Sequence, residues 1–242
     1  MKVKGLSCLS GAFGLAAVLS ATGTVLADGP AVTLSVNGTA SSLSGTATAA
    51  ANVYNYTGSL TDGGGMWTTG FDFNASNMAD MQTSFISGNF VVINTGSATQ
   101  DFEIVLTLPV VVTGSKMTLY GGSVAGSLIG DADGGSFGTI GSNAVWSAST
   151  NGMAIADLLT APISVTTNPF QSALIGSASF GEPIPSAPGP NLMDSLEITL
   201  RFSLGAGDSA AFTSILVAQV PAPGAVALLG LAGFVGSRRR RG

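Results

Sequence analysis

The sequence predicts an all-β protein: one antiparallel β-sandwich or jelly-roll-like domain, flanked by an N-terminal signal segment and a C-terminal transmembrane helix. Three observations carry this. Leu196, Ile198, Leu200, Phe202 and Leu204 alternate with Glu197, Thr199, Arg201 and Ser203, the period-two pattern of a strand with one face in a core. Glycine-rich turn signals recur at short intervals, where glycine supplies positive φ without steric cost. No stretch between residues 28 and 219 has the length and 3.6-residue period of a helix, and many short strands with regular turns describe a sandwich.

In chain order, Lys2 and Lys4 form a basic start, Leu6 to Leu19 is mostly small and apolar, and Val25-Leu26-Ala27 offers a small residue at the cut, Ala27, and a tolerable one at Val25. Residues 1–27 therefore read as a signal peptide cut after Ala27 by signal peptidase. Its serines, threonines and glycines dilute the run below what a membrane span needs. Cys8 leaves with it, so the exported chain has neither cysteine nor histidine.

Strands are expected at Val32 to Val36, Asn52 to Tyr56, Trp67 to Phe73, Ser84 to Asn94, Phe102 to Leu108 and Val110 to Tyr120. Further runs are Ala144 to Ser149, Met153 to Leu158, Ile163 to Thr167, Ser172 to Phe180, Leu196 to Leu204 and Ala211 to Gln219. Met153 to Thr160 is the one candidate for a short helix. Turn signals fall at Asp62 to Gly65, Ser87-Gly88-Asn89, Thr113-Gly114, Gly121-Gly122, Asp131 to Gly135, Asn151-Gly152 and Gly205 to Asp208. The proline-rich Glu182 to Pro190 reads as a loop or edge excursion.

Charge narrows function. All 13 acidic residues lie between Asp28 and Asp208, where Lys116 and Arg201 are the only bases, so the exported part carries a net charge of −11. That balance repels phosphate backbones and argues against nucleic acid as a partner. Without histidine or a mature cysteine, Ser-His-Asp and Cys-His nucleophiles and Cys/His metal sites are unavailable, and no motif requires a cofactor.

Three weaker candidates remain. Asp101 and Glu103 share a strand face at about 7 Å, within the reach of a carboxylate glycosidase, although a solvated edge is the favoured reading. Asp131 and Asp133 open like a calcium loop, but Ser142 stands at the twelfth position in place of glutamate, so a polar turn is favoured over a metal site. Trp67, Trp146, Tyr54, Tyr56 and Tyr120 are read as core, and only an exposed pair on one sheet face would make them a sugar platform. N-x-[ST] sequons begin at Asn37, Asn55 and Asn74.

Residues 220–242 form a separate module. Val220-Pro221-Ala222-Pro223 breaks the chain, Gly224 to Gly236 is apolar, and Arg238, Arg239, Arg240 and Arg241 are a basic stop signal that stays on the cytoplasmic side. As a helix the apolar run reaches about 20 Å against a bilayer core of about 30 Å, which suits a transient anchor. This order resembles the PEP-CTERM sorting signal of exported bacterial proteins, with Ala222 where that family has glutamate. The resemblance implies processing by exosortase, a membrane transpeptidase-like enzyme. It also implies a protein held at the membrane by its tail before processing and then found at the cell surface or outside the cell. The body is expected to be a structural or interaction domain of the surface or matrix, not an enzyme. The alternative is a carbohydrate-binding or adhesive module with extracellular polysaccharide as its partner; a carboxylate glycosidase ranks last.

Overall fold

The computed structural model describes residues 29–78, 83–111 and 117–221. The signal segment with Ala27, and the tail from Ala222 through Pro223 and Arg238 to Arg241, lie outside the described residues. The chain begins with a hairpin of β1 (Val32–Val36) and β2 (Thr39–Leu43), closed by Asn37 and Gly38 at φ 48° and 82°. Asn-Gly is the residue pair that such a two-residue turn favours. β3 (Thr46–Ala47) then leads into a meander of β4 (Tyr54–Thr61), β5 (Trp67–Met78) and β6 (Thr83–Asn94). β7 (Gln100–Pro109) and β8 (Thr118–Ile129) follow, with β9 (Gly135–Gly138), β10 (Trp146–Thr150), β11 (Met153–Leu158) and β12 (Ser164–Thr167). β13 (Ser172–Phe180), β14 (Ala187–Gly189), β15 (Ser195–Leu204) and β16 (Ser209–Gln219) complete the set.

These strands form two eight-stranded antiparallel sheets. Sheet A runs β11-β10-β15-β7-β1-β2, with β9 on the end of β15 and β12 beside β9. Sheet B runs β13-β8-β16-β6-β5-β4-β3, with β14 extending the β13 side of β8. Inward residues of both sheets interdigitate as a sandwich core. Phe202 of sheet A lies 5.1 Å from Phe212 of sheet B, 5.5 Å from Phe102 and 5.2 Å from Phe137. Trp146, fully buried on β10, crosses to sheet B, where its Nε1 donates to Ser214 Oγ at 2.7 Å.

The most regular alternation, Leu196 to Leu204, is β15, flanked by β7 and β10 in sheet A. Met153 to Leu158 is strand β11, as its pattern predicts, and the alternative of a short helix does not form. Three expectations are corrected. Val110 to Tyr120 is not one strand: Val110 and Val111 follow β7, and β8 begins at Thr118. Ser87-Gly88-Asn89 is not a turn but the middle of β6, where Gly88 sits opposite Phe73. A Cβ at Gly88 would run into the Phe73 backbone, so the glycine makes room for the buried ring, which stacks on Tyr56 at 4.9 Å. Gly121-Gly122 likewise lies within β8; a Cβ on Gly122 would come within 2.7 Å of the Ile215 carbonyl oxygen and 2.9 Å of the Phe180 ring.

Candidate functional site

The sequence candidates go to different places. Trp67, Tyr56, Trp146 and Tyr120 are buried and Tyr54 is half-buried, so the described rings make no exposed aromatic pair. The Tyr56 hydroxyl donates to the Pro30 carbonyl at 2.6 Å and the Tyr120 hydroxyl to that of Pro190 at 2.8 Å. Burial pushes the Tyr56 phenol up to about 12, with a smaller push from Tyr54, and raises Tyr120 as well. Asp101 and Glu103 stand on the outer face of sheet A opposite Ser203 and Arg201, and Arg201 Nε donates to Glu103 Oε2 at 2.6 Å. A glycosidase pair must face across a substrate, whereas this carboxylate is already held by a guanidinium on an open strand face.

Asp131 and Asp133 shape a turn. The Asp131 N–H donates to the Gly134 carbonyl at 3.1 Å, and Asp131 Oδ1 accepts the Asp133 N–H at 3.0 Å. The Asp133 carboxyl, hydrogen-bonded to that of Asp131 and repelled by its charge, is pushed up, and the same hydrogen bond with the Asp133 N–H pulls Asp131 down. Buried Asp208 accepts the Ser136 N–H at 2.8 Å, which ties this turn to the one before β16. Its acceptors are turned to backbone donors, and among the described residues no group of three or more Asp, Glu, His or Cys side chains could hold a metal ion. The polar-turn reading of Asp131 and Asp133 fits this geometry.

A different surface has the features of a binding site. In the register of sheet B, Thr57, Asp72, Asn89, Thr213, Ala125 and Ser177 lie side by side on β4, β5, β6, β16, β8 and β13, and all six are exposed. At about 4.8 Å between strands the row extends about 24 Å across the outer face. Its side chains hold one another: Thr213 Oγ1 donates to Asn89 Oδ1 at 2.7 Å, and Asn55 Nδ2 donates to Asp72 Oδ1 at 2.9 Å. With its oxygen so occupied, Asn89 presents its NH₂, while Asp72 keeps free acceptor lone pairs.

Shallow depressions flank this row. One, of about 430 Å³, has a floor of Ala125, Gly126 and Ala211 and is bordered by Val91 and Leu174. The other, of about 390 Å³, shares Ala125 and Thr213 and reaches Ser177, Ser179 and Glu182. A bulge between Leu174 and Gly176 interrupts β13, and Leu174 stands 83% exposed at the groove edge. Bulges re-aim side chains in this way. Small residues on three neighbouring strands thus leave a channel with polar groups along it and aliphatic carbon beside it. No aromatic or charged motif marks these positions, and only strand register brings residues as distant as 57 and 213 into one row.

Of the tail motif, Val220 follows directly on β16 and is buried against the fold, and Pro221 comes next. Ala222, Pro223 and the arginines lie outside the described residues, and among the described residues no helix is long and apolar enough to cross a membrane. No protein-family model and no curated protein matches this sequence. Among solved structures, the chain is similar to a carbohydrate-binding module, TmCBM61, solved in complex with beta-1,4-galactotriose. The match has 10% identity and a TM-score of 0.25, covering 62% of this chain and 86% of that one. An overlap that loose does not align residues one to one, so it says nothing about what this chain binds.

Proposed function

We propose that this chain is an exported, non-catalytic interaction protein of the cell surface or extracellular matrix whose sandwich binds hydroxyl-rich polysaccharide across the outer face of sheet B. The observation that carries the reading is the exposed row from Thr57 to Ser177 beside the Ala125-Gly126-Ala211 channel. The hydroxyls of Thr57, Thr213 and Ser177, the Asp72 carboxylate and the Asn89 amide match the vicinal donors and acceptors of a sugar, and aliphatic side chains match its C–H faces. Without a stacking ring, affinity rests on many weak contacts along a polymer, a multivalent mode. A glycan array tests this: the wild-type chain is expected to retain long glycans over short ones, and Asn89→Ala with Asp72→Ala to lose them. An array with no retained glycan contradicts the reading.

The tail supports a second reading, concerned with address. We propose that Val220 to Pro223, the apolar run and Arg238 to Arg241 serve as a sorting signal read by an exosortase-like enzyme while they hold the chain at the membrane. β16, the last described strand, ends at Gln219, and Val220, the first residue of the motif, is packed directly after it. Mass spectrometry of the mature C-terminus is expected to find it within Val220 to Pro223. An intact arginine cluster in the membrane fraction would indicate a permanent anchor instead.

A further inference from the structure

The two lateral sides of the sandwich are guarded unequally. On one side, the β10–β11 ladder is bulged between Ala148 and Ser149 and β13 between Leu174 and Gly176. Pro188 lies inside β14, and Asp157 and Glu182 add charge. Bulges, prolines and charges are how natural sheets block strand addition. On the other side lie β2 and the part of β4 beyond β3. Their ladders with β1 and β5 have no register shift, and neither strand contains a proline or a charge.

Register fixes which backbone groups are open. Val36 and Thr39 close the β1–β2 hairpin, so Thr39, Ser41 and Leu43 bond to β1. By antiparallel alternation the N–H and C=O of Ala40 and Ser42 point to the edge of β2 that pairs with no other described strand, and both residues are small and exposed. On β4 the alternation opens Thr57, Ser59 and Thr61, but Asp62 follows that segment and Asp72 lies opposite Thr57. With a net charge of −11 on the exported part, copies of this chain repel, and β2 is the edge where they can approach without placing carboxylates together.

We infer that β2 is a self-association edge. Two copies pair their β2 strands antiparallel about a two-fold axis at Ser41, with Ala40 opposite Ser42 of the second copy and the two A sheets joined into one. Each Ala40–Ser42 pair exchanges both of its backbone hydrogen bonds, and the interface is isologous, as a two-fold requires. This surface is separate from the groove on sheet B.

Sedimentation of the purified full chain carrying Cys8→Ser tests it, read as mass against concentration. The wild-type edge is expected to give a reversible dimer, and Ser42→Pro and Ser42→Lys to weaken it at least about tenfold. Neither change touches a bond to β1, so thermal melting at concentrations below dimerisation, where no second copy adds stability, is expected to stay unchanged and to exclude misfolding. Ser41→Cys provides a second measurement: opposed Cα atoms in this register lie about 4.5 Å apart, within the span of a disulfide, so mild oxidation should give a cross-linked dimer. A chain that is monomeric at every concentration overturns the inference. So does a dimer that both Ser42 variants leave intact, or one that Ser41→Cys fails to cross-link.

Discussion

At the residue scale, the ionisable groups divide by surroundings. Tyr56 is neutral and hydrogen-bonded in a desolvated site, so its folded pKa of about 12 exceeds the ordinary 10.0. A raised folded pKa means that its contribution is fully present below pH 10 and lost as pH rises through about 12. The wild-type chain is therefore expected to lose stability over that window. Tyr56→Phe, about 1 kcal/mol weaker at neutral pH for the missing hydrogen bond, should show a shallower fall, as followed by denaturant melts across pH. The Asp131–Asp133 pair makes a different prediction. Because the Asp131 carboxyl raises Asp133, Asp131→Asn should move the Asp133 titration down by carboxyl NMR. An unmoved midpoint would mean that the two side chains do not interact. What the sequence could show at this scale was residue type: rings were correctly read as core, because four of the five singled out fill space between sheets. It could not show that Asp72, Asn89 and Thr213 are neighbours, since nothing local to any of them encodes the register.

At the scale of elements, strands were legible where one face is fully buried and the other polar. β15 satisfies that rule along its length, β7 does so from Asp101 to Leu108 except at Val105, and β1 does so in miniature. β2, β3, β9 and β14 escaped it because they are short, edge-placed or built of Thr, Ser, Ala and Gly, which give little contrast between faces. Glycines inside β6 and β8 misled for a related reason: they serve cross-strand packing, not turning. Two substitutions separate core from surface here. Phe202→Ala removes a ring that packs against Phe102, Phe137 and Phe212 and should cost about 3–5 kcal/mol. Arg201→Ala, one position earlier, breaks only a solvent-exposed pair with Glu103 and should cost no more than about 1 kcal/mol. Denaturant midpoints of the two variants measure the contrast, and similar losses would contradict it.

At the scale of the whole molecule, residues 28–219 combine a large apolar core, no cysteine and a net negative charge. Stability must come from burial and from ladders on both sheets. Function, in the proposed account, is left to the outside: a polar row and channel on sheet B, an open edge at β2 and a tail that begins as soon as β16 ends. The proposed reading of the tail rests on an order of proline, apolar run and arginines that is linear in sequence. The sheet-B groove has no such linear signature, because it exists only after six strands have paired. Its role as a polysaccharide site is the central claim. The most direct measurement is a two-dimensional amide NMR titration of the chain with a soluble polysaccharide retained on the array. The account predicts shifts concentrated at Asp72, Asn89, Ala125, Ser177 and Thr213, with the outer face of sheet A unchanged; shifts confined to sheet A, or none at saturating polymer, would contradict it.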